Sequence, residues 1–217
     1  MITKQQAWRR RDDEVNIGID KSEYKFKFTR RWFKLRNQVT YSTFLPKRFP
    51  PHRPWKALQI GVFEGMDLVW QMQNLFSHSA SRVIAIDPWE ATTKLDQQYM
   101  DDVYERAQHN LRKWRRQVEL VRGYSQQILP TLLNEGAGTY DLIIIDGDHN
   151  APAVYTDAIY SLQLLKVGGW MLFDDVRNQQ PKKDHVQKGL DQFMDDFEDN
   201  VGRVWFHRFM DCICRLN

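Results

Sequence analysis

The stretch from Lys56 to Asp87 limits the possible folds more than any other part of the chain. Ala57-Leu-Gln-Ile60 reads as a short buried strand. Gly61-Val-Phe-Glu-Gly65 is a tight turn bounded by glycines, and a helix is expected to begin at Asp67 and run toward Phe76. Arg82-Val-Ile-Ala-Ile-Asp87 is a second apolar strand, and it ends on an acid 22 residues beyond Gly65. Strand, glycine turn, helix, strand and acid make up a nucleoside-binding β-α-β unit. Glycine lets backbone approach a ligand where a Cβ would collide. An acid at the second strand end is placed to accept hydrogen bonds from ribose hydroxyls. A plain α/β turn without a ligand is the alternative.

The rest of the chain repeats the alternation. Asp96 to Trp114 has helical periodicity and ends in Arg112-Lys-Trp-Arg-Arg116, basic charge suited to a helix C-terminus. Val118-Glu-Leu-Val121 is a third strand, followed by a helix through Leu133 with Ser125 as its N-cap. Tyr140 to Ile145 is the most apolar strand, and a helix from Ala153 to Leu165 follows it. Lys166-Val-Gly-Gly169 reads as a glycine stop to that helix, leading into the strand Trp170–Phe173. Gln187 to Phe197 is helical, and Gly202–His207 and Cys212–Leu216 form an antiparallel pair with a bend at Phe209–Asp211. The expected fold is α/β: a doubly wound, seven-stranded, mostly parallel Rossmann-like sheet with an antiparallel C-terminal hairpin.

The glycine spacing narrows the ligand. A dinucleotide fingerprint needs G-x-G-x-x-G facing a pyrophosphate. Here the pattern is Gln59-x-Gly61-x-x-x-Gly65, with Glu64 in the turn. A carboxylate is a poor neighbour for pyrophosphate but suits a ligand carrying an amine and a sulfonium. The stretch resembles motif I of the class I S-adenosylmethionine-dependent methyltransferases, (Glu/Asp)-x-Gly-x-x-x-Gly, with Gln59 in place of the acid; glutamine still accepts a hydrogen bond. By this resemblance Gln59, Gly61, Phe63, Glu64, Gly65, Asp87, Pro88, Trp89 and Asp146 surround the cofactor. Ser125 and Gln126 take the adenine edge, unless they only cap the helix. Trp89 would wall the pocket or lie over its entrance, with surface packing as the alternative.

Three polar sequences fall at the carboxyl ends of strands, where open α/β sheets bind ligands: Asp87, Asp146-Gly-Asp-His149 and Asp174-Asp175. Asp146, Asp174 and Asp175 would repel one another if brought together unless protonated or bridged by a cation. All-oxygen ligation fits Mg²⁺ or Mn²⁺. His149, three residues past Asp146, can take a proton from a bound hydroxyl near neutral pH. Helix capping and surface solvation are the alternatives for these residues singly. Taken together with Gly61–Gly65, Ile86-Asp-Pro-Trp89 and Gly168-Gly-Trp-Met-Leu-Phe-Asp-Asp175, they are similar to the metal-dependent sugar O-methyltransferases of macrolide biosynthesis. The likeness covers residues 56–175. It implies an enzyme that methylates a hydroxyl of a small molecule or sugar, with Mg²⁺ on the three acids and His149 and Asp146 as catalytic residues.

Charge divides the chain. Residues 1–56 carry 15 Lys and Arg against 5 Asp and Glu, and residues 57–217 carry 16 against 23. A basic, aromatic N-terminal extension (1–55) is therefore expected ahead of a methyltransferase domain (56–217). Residues 1–20 read as a flexible or weakly helical lead. Tyr24-Lys-Phe-Lys-Phe28 and Arg30-Arg-Trp-Phe-Lys-Leu-Arg36 interleave base and ring. They would grip nucleic acid, making the protein a nucleic-acid methyltransferase, or pack Trp32, Phe33 and Leu35 against the body. A binding protein that keeps the fold without the chemistry is a further alternative. No apolar run is long enough to span a membrane, and no signal peptide is evident. Cys212 and Cys214, the only cysteines, sit poorly for a mutual disulfide and suggest a reducing, cytoplasmic setting. A homo-oligomer is possible.

Overall fold

The structure is a computed structural model that describes residues 19–20, 22, 24–30, 32–33, 40–93, 95–176, 185–207 and 210–217, with backbone alone at 206 and 207. The lead up to residue 18, Leu35 and Phe209 lie outside the described residues. A short helix α1 (Leu45–Arg48) precedes β1 (Lys56–Ile60), α2 (Met66–Asn74), β2 (Arg82–Asp87), α3 (Gln97–Leu111), β3 (Val118–Arg122) and α4 (Ser125–Glu135). β4 (Tyr140–Ile145), α5 (Ala151–Leu164), β5 (Leu165–Phe173), α6 (His185–Asp196), β6 (Val201–His207) and β7 (Met210–Arg215) follow.

All seven strands join one sheet in the order β3-β2-β1-β4-β5-β7-β6. The first five pair in parallel, and β7 runs antiparallel to both β5 and β6. The chain steps outward from β1 to β3, then returns to lay β4 on the other side of β1. This reversal opens a crevice at the carboxyl ends of β1 and β4, the place where such sheets take ligands.

Side chains alternate between two cores because successive strand residues face opposite ways. Ala57, Leu142, Ile144 and Leu172 join α2 and α3 on one face. Leu58, Ile143, Ile145 and Phe173 join α4, α5 and α6 on the other. Over β5, β7 and β6 the first face is covered by chain that precedes β1. Phe44 is stacked between Trp170 and Trp205 at centroid distances of 5.1 and 4.5 Å, and Phe49 meets Trp170 edge-on. Arg48 lies over Trp170 and donates to the Gly168 carbonyl.

Local chemistry sets the helix ends. Asp96 caps α3 by accepting from the Tyr99 N–H at 2.8 Å. After Leu111 the chain tightens into a 3₁₀ turn over Arg112–Trp114, so the α-helix stops short of Trp114. Asn150 caps α5 by accepting from Ala153 N, which starts that helix at Ala151. Two expectations are corrected. Ser125 is the first residue of α4 and not its cap; Tyr124 holds the cap position and makes no side-chain cap bond. Lys166–Gly169 belongs to β5 and does not end a helix. The glycines serve a register break opposite Tyr140–Leu142, where Gly168 has φ +75°.

One buried group makes stability depend on pH. Asp157 on α5 is fully buried, and neither carboxyl oxygen has a hydrogen-bond partner among the described residues. Burial pushes its pKa up to about 6 from 3.8, and the nearby Ser125 hydroxyl, short of hydrogen-bond geometry, pulls the other way. Because the folded pKa is the higher one, folding takes up a proton. The stabilisation is complete below the unfolded value and is lost as pH rises toward 6, by about 3 kcal/mol in all. Asp157→Asn is neutral at every pH and is expected to flatten this dependence between pH 4 and 8. Urea midpoints of both proteins across that range check it; parallel curves would refute it.

Candidate active site

The crevice holds a cavity of about 670 Å³. Its floor is the turn after β1 and its walls come from the ends of β2, β3, β4 and β5. Gly61, Phe63, Glu64, Asp87, Pro88, Ser125, Gln126, Asp146, His149, Asp174 and Asp175 all line it. Gln59, Gly65 and Trp89 do not.

The two glycines serve packing between parts of the chain. A Cβ on Gly61 would stand 1.9 Å from the Asp146 carbonyl oxygen. The turn thus passes directly against the end of β4, which hydrogen-bonds to β1 through Asp146 N and Ile60 O at 2.8 Å. Gly65 meets the Leu111 side chain of α3 and begins α2. Trp89 is fully buried beneath the turn, neither wall nor surface. Its indole N–H donates to the Phe63 carbonyl at 2.9 Å and its ring meets Tyr104.

Asp87 braces the same turn. Its Oδ2 accepts from Val62 N and Phe63 N at 2.9 and 3.0 Å, and Oδ1 accepts from Trp89 N at 2.8 Å. A carboxylate oxygen has two lone pairs, so Oδ1 keeps room for a hydroxyl donor. Gln59 is buried, and its Nε2 donates to the Gly61 carbonyl and to Asp67 Oδ2. The first position of the glycine pattern is therefore a brace, hidden from the cavity.

Glu64 has partners of its own. Arg106 Nε lies 2.7 Å from Oε1, Thr29 donates through its N–H and its hydroxyl, and Arg30 N–H lies at 3.4 Å. The carboxylate ties the basic aromatic segment to α3 and is not a free anion facing a ligand. Tyr24 meets Phe26 edge-on and Phe26 stacks on Phe28, while Lys25 and Lys27 face solvent. Phe33 is buried; Trp32 is 56% exposed and lies flat on Phe63 at 4.6 Å, with Arg30 over it. Arg30, Trp32, Phe33 and Tyr41 thereby become cavity wall, as does Asp67 on α2. Sequence reading missed the last two because neither belongs to a recognisable motif.

At the far end the acids converge as the strand endings require. Asp174 N–H donates to the Ile145 carbonyl, which sets the ends of β4 and β5 side by side. His149 Nε2 stands 3.5 Å from Asp146 Oδ1 and its Nδ1 stands 3.9 Å from Asp175 Oδ2. Its pKa is raised, chiefly by the Asp146 carboxylate. Burial raises both Asp146 and Asp174, and the neighbouring carboxylates add to it. Asp175 is held at φ +53°, a left-handed conformation uncommon for a non-glycine residue. Among the described residues no group of three or more His, Cys, Asp or Glu side chains is assembled to hold a metal ion.

A reversing seven-stranded sheet with an antiparallel C-terminal hairpin and a glycine turn at its crevice is the Rossmann-like methyltransferase fold. The chain belongs to the methyltransferase domain family, which it matches over residues 58–176. It therefore uses S-adenosylmethionine as methyl donor. No curated protein matches it. Solved structures share the fold. A candidate O-methyltransferase from Klebsiella pneumoniae is 19% identical, with 83% of this chain and 80% of that one covered and a TM-score of 0.61. An O-methyltransferase from Bacillus cereus, in complex with S-adenosylhomocysteine, is 20% identical over 83% of this chain and 89% of that one (TM-score 0.53). MycE of mycinamycin biosynthesis, in complex with Mg and S-adenosylhomocysteine, is 13% identical over 79% of this chain and 48% of that one (TM-score 0.55). Among the described residues no helix is long and apolar enough to cross a membrane.

Proposed function

We propose that the protein transfers the methyl group of S-adenosylmethionine to a hydroxyl oxygen of a small molecule or sugar. The observation that carries this reading is the meeting of Asp146, His149, Asp174 and Asp175 in the same cavity as the braced glycine turn. The nucleoside lies along the ends of β1, β2 and β3, with Asp87 at its ribose and Ser125 and Gln126 at its adenine. The acceptor hydroxyl comes between the sulfonium and His149. The imidazole takes the hydroxyl proton, and the oxygen attacks the methyl carbon in line with the departing sulfur. Asp146 orients the ring and stabilises the imidazolium that results.

Three carboxylates with no sulfur ligand suit a hard divalent cation in donor chemistry. Asp146, Asp174 and Asp175, which are not drawn together around one point in the structure, would have to close on it, and when bound it would lower the pKa of the acceptor hydroxyl. If they do, millimolar Mg²⁺ or Mn²⁺ is expected to raise the melting temperature of the wild type and to leave that of Asp174→Asn unmoved. Equal shifts in both proteins would remove the cation from this site. The acceptor class is tested by incubating the enzyme with labelled S-adenosylmethionine and pools of sugars, phenols and RNA, then finding the labelled product by mass spectrometry. Label confined to RNA would overturn the small-molecule reading.

A further inference from the structure

Among the described residues the cavity wall carries a single lysine or arginine, Arg30; the other charged side chains that line it are carboxylates, apart from His149. Arg30 is exposed, and no ion pair joins its guanidinium to a described carboxylate. Its backbone N–H reaches Glu64 at 3.4 Å, but that carboxylate already takes Arg106 and both donors of Thr29. The guanidinium lies instead over the Trp32 and Tyr99 rings, 5.9 and 5.4 Å from their centroids. Trp32 rests flat on Phe63, and Phe33 beside it is buried against Tyr41 and Trp70. The arginine is therefore held on both sides along the chain, by Thr29 on Glu64 and by Phe33 in the core. A guanidinium lying on rings keeps its in-plane N–H donors for another partner. Arg30 and Trp32 both precede residues 58–176, the region shared with the methyltransferase domain family.

We propose that Arg30 and Trp32 form an acceptor subsite for an anionic group, a carboxylate or a phosphate, on the molecule whose hydroxyl is methylated. This rests on the hydroxyl-transfer reading above and narrows its acceptor to an acid. A sulfonium is served by carboxylates, and a fixed cation does nothing for it. An uncharged acceptor would leave the guanidinium with water alone. The planar fork matches two oxygens of a carboxylate or phosphate, and the indole beside it covers apolar surface next to that group. The acids elsewhere in the wall repel an anion. One cation among them therefore fixes which end of the acceptor goes where: the acid stays at Arg30, and the hydroxyl is left for His149.

Matched acceptors test this. Labelled S-adenosylmethionine is offered with hydroxybenzoates and glucuronic acid against their methyl esters, and with glucose 6-phosphate against glucose. Label should enter the charged member of a pair, and the pairs that respond, carboxylate or phosphate, name the anion. Arg30→Gln should lower the charged-over-neutral ratio of kcat/KM at least about 10-fold, mainly through KM, the size of one charge-assisted hydrogen bond. Arg30→Lys keeps the charge without the fork and should restore part of that ratio. Calorimetry should show S-adenosylhomocysteine affinity within about 2-fold of the wild type in both variants. Neutral members methylated as well as charged ones, or a ratio that Arg30→Gln does not move, overturns the assignment. So does a loss of S-adenosylhomocysteine affinity in Arg30→Gln as large as the loss with the acid, which would give Arg30 to the cofactor. Label in no hydroxyl of any pair overturns the hydroxyl-transfer reading along with it.

Discussion

His149→Ala is expected to lower turnover about 100-fold or more while S-adenosylmethionine affinity changes less than about 2-fold. The imidazole is half exposed on the loop after β4 and leans on Asp146 at 3.5 Å and Asp175 at 3.9 Å. It contributes to no core packing, so removing it should leave the fold and the nucleoside subsite standing. What is lost is the acceptor for the hydroxyl proton, and an alcohol attacks a methyl sulfonium poorly without one. Single-turnover rates with saturating acceptor, paired with calorimetric cofactor affinities, give both quantities. A variant that turns over as fast as the wild type would take His149 out of the reaction. One that also loses the cofactor would make it a structural residue.

Gly61→Ala attacks the same site from below and should cost more than activity. The added methyl would sit 1.9 Å from the Asp146 carbonyl oxygen and 2.5 Å from its carbon, against φ +87°. Both the clash and the left-handed backbone oppose it, and the neighbour is main chain that no rotamer change can move aside. A loss of about 3 kcal/mol or more is expected from urea unfolding. The end of β4 has to shift for the methyl to fit, and Asp146 and His149 shift with it. Turnover should therefore fail even where the variant remains folded. A variant within about 1 kcal/mol of the wild type would show that the turn can move away from β4.

The sheet could be read from the chain because its evidence is local. Buried parallel strands are short apolar runs such as Leu142–Ile145, and β2, β4 and β5 run out on the acids Asp87, Asp146 and Asp174. The acids at those ends could be foreseen, since topology alone carries Asp87, Asp146 and Asp174 to one edge. Partnerships between distant residues could not. Glu64 reads from the sequence as a carboxylate suited to a sulfonium ligand, and its partners Thr29 and Arg106, 35 and 42 residues away, cannot be foreseen from it. Trp89 was placed at the pocket because it follows Asp87, yet its positive φ of 43° turns it inward to meet Tyr104. Gly61 was needed for close approach, as expected, but the approaching group is the protein's own backbone. Tyr41 and Asp67 gave no signal, because a lone ring and a helix-start acid are ordinary features until a cavity opens beside them.

The bonds between Glu64 and Thr29 join the glycine turn to the segment that precedes β1. On the proposed reading, the turn beside the nucleoside and the N-terminal segment that walls the cavity share one carboxylate. Tightening either one therefore lowers the entropy left for the other to lose, and by reciprocity each occupant should favour the other's arrival. Such a molecule would reward ordered addition, with donor first and acceptor second, without any hinge between domains.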